Sequence, residues 1–185
     1  GLTFSETCDT VNSVLSIDEL HVRDRKVGIF TMRGIEEVEM RGVHARLASC
    51  TDHHDPSDES RRSESPGFDE LLALPVRDLS LGFVSRVSVR QADLVFHDGS
   101  ADLLRVDAGR IDLALGSGDL QLADGVAFHA RDGSELRAAR AQWQVEEGKL
   151  RVSGPHEWTD GSDWRRAAGD GHFALDRSGT LRPQR

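Results

Sequence analysis

The sequence predicts an all-β protein: an elongated, twisted antiparallel sheet folded over on itself, of the β-taco or β-jelly-roll kind. Three observations predict it. Apolar residues alternate with polar ones along most of the chain, which is the period of a strand with one wet and one buried face. Asp98-Gly99, Asp132-Gly133 and Asp160-Gly161 punctuate those runs with hairpin-turn dipeptides, where Gly supplies the positive φ the turn needs. A composite pattern then recurs three times, and a unit of about 30 residues that cannot cover its own apolar face must stack on its neighbours.

Taken in order, residues 1–50 form an N-terminal β repeat, with alternation at Val38/Met40 and Val43/Ala45/Leu47. Residues 51–67 contain no apolar side chain beyond their prolines. They cannot bury enough surface to offset their ordering entropy, so they read as a flexible polar loop. Phe68, Leu71, Leu72 and Leu74 follow at helical spacing and predict one short helix near 67–74, ending before Pro75. The rest of 68–185 is a second β region, continuous in one sheet with 1–50. Its alternating pairs are Val87/Val89, Leu94/Phe96, Ile111/Leu113/Leu115, Leu120/Leu122, Val126/Phe128, Trp143/Val145, Leu150/Val152 and Phe173/Leu175. Glu147-Gly148 and Ser178-Gly179 mark further turns, and the whole is read as antiparallel and hairpin-linked.

The threefold pattern runs as follows. A strand residue and an Asp-Gly turn come first, then an apolar residue (Leu104, Leu136, Trp164), then a strand (Ile111-Asp-Leu113, Trp143-Gln-Val145, Phe173-Ala-Leu175). Each unit closes on Gly-x-Leu, and the closing residues Leu120, Leu150 and Leu181 lie 30 and 31 positions apart. A second similarity joins the two halves: Ile35-Glu-Glu-Val38-Glu-Met40-Arg41 matches Val84-Ser-Arg-Val87-Ser-Val89-Arg90, and each leads into a second alternating run. In both, the parity of the apolar positions switches mid-strand, and it switches again between Val106 and Ile111. A one-residue switch requires a bulge or kink if the same face is to stay inward.

The chain has 185 residues, enough for a sizeable core, with 23 Lys+Arg against 32 Asp+Glu and a net charge of −9. That balance argues against a nucleic-acid binder and against a polybasic membrane-surface module. No stretch approaches the roughly 20 apolar residues of a membrane-spanning helix. The chain opens on Gly1 rather than Met, and the expectation is that a leading anchor or signal segment precedes it. Cys8 and Cys50 are too few for a disulfide framework or a zinc site. In an oxidising compartment they could close one loop; otherwise they are two ordinary thiols.

No catalytic motif emerges, and neither metal nor cofactor is expected. His53-His54-Asp55 falls in the polar loop, without the supporting shell that holds a metal ligand. His97 and His129 occupy near-equivalent repeat positions and read as outward-facing. Glu36-Glu37, Asp58-Glu59 and Glu146-Glu147 are adjacent pairs; on a strand their members point to opposite faces and cannot flank one substrate bond. Gly116-Ser-Gly118-Asp lacks the Lys-Ser/Thr of a phosphate loop.

The run Gly125-Val-Ala-Phe-His-Ala-Arg-Asp-Gly-Ser-Glu-Leu-Arg-Ala-Ala-Arg-Ala-Gln-Trp-Gln-Val-Glu-Glu-Gly-Lys-Leu-Arg-Val-Ser-Gly154 resembles the repeat of the OstA-like periplasmic lipopolysaccharide-transport family (LptC/LptA-like). Gly169-Asp-Gly171-His-Phe173-Ala-Leu175 resembles the end of its LptC-like domain, so the likeness covers roughly 85–182. Residues 1–50, with Leu79-Ser-Leu81 to Asp98-Gly99, are as similar to the strand repeats of AsmA-like envelope proteins. Either resemblance implies a non-enzymatic periplasmic envelope protein, held at the inner membrane by an N-terminal segment. It also implies a folded-over β groove that carries lipid or lipopolysaccharide acyl chains and meets other envelope transport proteins by edge-strand pairing. The groove it implies is lined by Leu94, Phe96, Ile111, Leu113, Val126, Phe128, Trp143, Val145, Phe173 and Leu175. Two other readings stand beside it: a structural or adaptor module with the same sheet but a sealed β core, and a jelly-roll carbohydrate enzyme, which would need two carboxylates or a His/Glu metal set converging in one cleft.

Overall fold

The computed structural model describes residues 1–8, 11–27, 32–48, 84–113, 119–144, 147–175 and 179–184. Cys50, the polar loop 51–67, the helix expected near 67–74, Gly116-Ser-Gly118 and Val145 lie outside them.

Among the described residues the chain is all β. Its strands are β1 (Leu2–Cys8), β2 (Val11–Val27), β3 (Met32–Ala48), β4 (Val84–His97), β5 (Asp102–Leu113), β6 (Asp119–Ala130), β7 (Glu135–Gln144), β8 (Lys149–Val152), β9 (His156–Thr159), β10 (Arg165–Ala167), β11 (Gly171–Leu175) and β12 (Leu181–Pro183). They form one sheet in the order β1-β2-β3-β4-β5-β6-β7-β8-β11-β12, with β9 on β7 and β10 on β9. The turns are where the dipeptides put them: Gly99, Gly133, Gly161, Gly148 and Gly179 all have φ between 61° and 92°.

One pairing departs from the expected hairpins. β3 and β4 run parallel. Their register joins Ile35 to Val84, Val38 to Val87, Met40 to Val89 and Leu47 to Phe96, a constant offset of 49 positions. The two similar segments of sequence therefore lie side by side, like against like. A parallel pair cannot close by a tight turn and needs a long crossover, which accounts for the length of sequence between Ala48 and Val84.

The parity switches fall on one line across the sheet. Asp18 on β2, Gly42 on β3, Gln91 on β4, Gly109 on β5, Asp124-Gly125 on β6 and Ala139 on β7 are neighbours in register. Gly42, Gln91, Asp124 and Gly125 all have positive φ. A Cβ on Gly42 would run into the Asp18 carboxylate, and one on Gly109 into the Asp124 carbonyl. On each strand the inward positions step by three or four across this line instead of two: Ile17 to Leu20, Met40 to Val43, Val89 to Ala92, Ala108 to Ile111, Leu122 to Val126 and Ala138 to Ala141.

This line is a crease, and the sheet folds along it. Phe128 pairs with Leu136, and Trp143 is seven residues further along β7. On a straight strand that is about 23 Å. The Phe128 and Trp143 ring centroids are 5.9 Å apart. Phe96 also meets Trp143 edge to face, at 6.2 Å. The strand halves on either side of the crease are therefore two layers packed face to face. One layer holds β1, β2 up to Ile17, β3 from Val43, β4 from Ala92, β5 up to Ala108, β6 from Val126 and β7 up to Ala138. The other holds the remaining halves.

Beyond β7 the sheet forks. Glu135–Ala138 pair with β9, which continues the first layer; Ala141–Gln144 pair with β8, which continues the second through β11 and β12. Trp158 of one branch meets Phe173 of the other edge to face, at 6.2 Å. Gly179, in the turn before β12, sits so close to the Leu103 carbonyl of β5 that a Cβ there would collide with it.

Candidate functional site

The space between the layers is the candidate site, and it is apolar throughout. Of the ten residues expected to line a groove, Leu94, Phe96, Ile111, Val126, Phe128, Trp143, Phe173 and Leu175 are buried in one cluster, Leu113 packs against it partly buried, and Val145 is outside the described residues. The closing leucines of the repeat, Leu120, Leu150 and Leu181, are in the same cluster. In the centre the side chains fill the space. Phe96 and Phe128 are each 1% exposed, and Trp143, 3% exposed, receives the edges of both. Each fully buried large side chain contributes about 1.5–3 kcal/mol by leaving water.

Toward β1 and β2 the same face is exposed among the described residues. β1 pairs Leu2 with Ile17 and Phe4 with Leu15, so Leu2 and Phe4 share the inward face of the first layer. Leu20 and Val22 pair with Met40 and Val38, which puts them on the inward face of the second. Met40 and Val38 are buried, but Leu2, Phe4, Leu20 and Val22 are 43%, 54%, 40% and 53% exposed. A mouth lined by four large apolar side chains, two from each layer, therefore opens beside β1 and leads toward the packed centre.

The outer faces are charged and wet. Glu39 accepts from Arg41 at 2.8 Å and lies 2.9 Å from Arg90; its carboxyl is held below the usual range, foremost by the Arg41 hydrogen bond. Arg105 bridges Asp93 and Asp107, and His129 lies between Asp107 and Glu135 at 3.6 and 3.5 Å. Solvent screens exposed pairs of this kind, so they add little to stability. The three Asp-Gly turns continue into Ser, and each Asp carboxylate accepts from the Ser two positions on. Asp98 is held furthest below the carboxylate range, first by the Ser100 hydroxyl, then by the amides of Ala101 and Ser100.

One sequence expectation is corrected. His97 does not face outward: a register shift between Phe96 and His97 turns it in, it is 4% exposed, and its Nδ1 accepts from the Gly99 amide. His129 is partly exposed on the outer face, as expected. Trp164 does not enter the core as its repeat partners Leu104 and Leu136 do; it is 43% exposed and lies under the Arg137 guanidinium at 4.5 Å.

The fork holds features that periodicity did not reveal. His156 is buried there, with Nδ1 between the carbonyls of Gly154 and Gly169 at 3.2 and 3.1 Å, so this nitrogen carries the proton. Beside it an open recess of about 520 Å³ is lined mostly by small residues, among them Val126, Ala127, Ala138, Ala139 and Pro155, with Arg137, Glu157 and Arg166 at its rim. Among the described residues no group of three His, Cys, Asp or Glu side chains is placed to hold a metal ion. Comparison with known proteins finds no family model, no curated protein and no solved structure that matches the chain.

Proposed function

We propose that this protein is a non-enzymatic component of a bacterial envelope that handles lipids, holding acyl chains against the exposed apolar mouth between its two layers. One observation carries the reading: among the described residues the inward face that is packed tight from β4 onward runs on to Leu2, Phe4, Leu20 and Val22, which are exposed. An acyl chain placed there gains about 0.8 kcal/mol for each methylene it buries. The likeness of roughly 85–182 to OstA-like transport proteins supports a lipopolysaccharide-type lipid, a periplasmic location and a bridge role among envelope partners. The packing of Phe96, Phe128 and Trp143 favours a second reading, an adaptor whose core is sealed and whose partners are proteins.

A fluorescent fatty-acid titration separates them. Saturable binding by the wild type that is lost in Val22→Asp, with the circular-dichroism melt retained, is the expected result. A folded wild type with no saturable binding overturns the lipid reading and leaves the adaptor.

A further inference from the structure

A sheet with free edges is a template for another strand, and natural proteins blunt such edges with short strands, proline or charge. Among the described residues the edges of this sheet are unequal. β12 has three residues and ends in Pro183, which has no amide to donate. β10 has three residues, two of them Arg165 and Arg166. Among the described residues β2 beyond Ile17 has β3 as its neighbour on one side, and that stretch carries Glu19, His21 and Arg23. β1 itself, Leu-Thr-Phe-Ser-Glu-Thr-Cys, is seven residues long and contains no Pro, Lys or Arg.

We propose that the chain forms a two-fold dimer in which β1 pairs antiparallel with β1 of a second copy. The blunted edges of β10 and β12 disfavour head-to-tail addition of β1 to another part of the same chain. Among the described residues β1 is the edge without such a device, and in the dimer it meets its own counterpart, as a two-fold interface requires.

The register follows from the side chains. Directly opposed residues of an antiparallel pair share a face, so even positions oppose even positions. Centring the axis on Thr3 places Leu2 opposite Phe4 of the second copy, twice, with Thr3 opposite Thr3. Centring it on Phe4 sets Phe4 opposite Phe4 but Leu2 opposite position 6, a glutamate in the sequence, and centring it on Ser5 sets Phe4 opposite that position. The Thr3 register is the one that sets both Leu2 and Phe4 opposite large apolar side chains. It also joins the two mouths, so that the inward faces of both copies run on across the junction. The inference rests on the edge and holds whether or not acyl chains bind.

The test uses the whole chain. Sedimentation velocity is expected to give a dimer for the wild type and a monomer for Phe4→Lys, while Leu20→Lys, away from β1, stays dimeric. In a Cys8→Ser/Cys50→Ser background, Thr3→Cys is expected to give a disulfide-linked dimer on mild oxidation. Opposed Cα atoms about 5 Å apart are within bridging range. Ser5→Cys, opposite Gly1 in this register, is not expected to link to itself. A monomeric wild type overturns the proposal, and so does a dimer in which Thr3→Cys fails to cross-link. If Phe4→Lys fails to fold, the cross-linking pair still decides. A dimeric wild type with no saturable fatty-acid binding counts against the lipid reading alone.

Discussion

Gly42 and Gln91 lie directly opposite each other in the parallel pair β3/β4, and both are left-handed, with φ of 60° and 56°. They hold equivalent places in the two similar halves of the sequence, yet only one is glycine. For an L residue that conformation costs roughly 1–2 kcal/mol, so Gln91 carries a strain that Gly42 avoids.

The crease is therefore sensitive in opposite directions at the two positions. Gly42→Ala is expected to lose about 1–2 kcal/mol from the backbone alone, plus whatever it takes to move the Asp18 carboxylate. Gln91→Gly is expected to be neutral or to gain up to about 1 kcal/mol, because the relief of strain is partly offset by glycine's freedom in the unfolded chain. Urea midpoints at constant m-value measure both. Equal losses at the two sites would mean the crease is not set by backbone conformation.

The packed centre and the open mouth should differ sharply in stability. Phe128→Ala removes a ring that is 1% exposed and touches Trp143, and is expected to cost about 3–5 kcal/mol. Leu20→Ala, at 40% exposure, is expected to cost less than about 1 kcal/mol. Trp143→Asp puts an unpaired carboxylate where the two layers meet and is expected to unfold the chain. A folded, cooperative Trp143→Asp protein would show that the interlayer space admits water.

Acid should loosen the hairpin ends first. The Asp98 carboxyl titrates below its unfolded value, so the folded state binds fewer protons and the stability it lends is full above that unfolded value, about 3.9. The contribution is lost as pH falls through and below that range. Asp160, held low chiefly by the Ser162 hydroxyl, acts in the same direction. Asp98→Asn should lower the melting temperature at neutral pH and flatten its decline between about pH 4 and pH 2. A mutant melting curve parallel to wild type across that range would remove Asp98 from the acid response.

The sequence made the strands, the turns and the inward positions legible because each leaves a local signature. Alternation set Phe96, Phe128, Trp143 and Phe173 on one face, and Asp-Gly set the turns. Parity switches at 40–43, 89–94 and 106–111 announced kinks one strand at a time. What they could not convey is that the kinks align, since alignment is a property of register between strands that are distant in sequence. The similarity of 35–41 to 84–90 was visible; that it meant parallel neighbours was not, because likeness does not specify direction. His97 was misplaced because one register shift moves a side chain to the other face. The fork at β7 left only Gly154-Pro155 as a trace, and the exposure of Leu20 and Val22 on an inward face is not written in their alternation.

The crease passes through equivalent positions from β2 to β7, so the cross-section between the layers is set once and repeated. Inserting or removing a whole hairpin would preserve it and change only the length, by two strand spacings or roughly 10 Å. The architecture thus works as a gauge that can be cut to measure. A chain built this way can span different distances without redesigning its interior, and its length is counted in hairpins rather than tuned residue by residue.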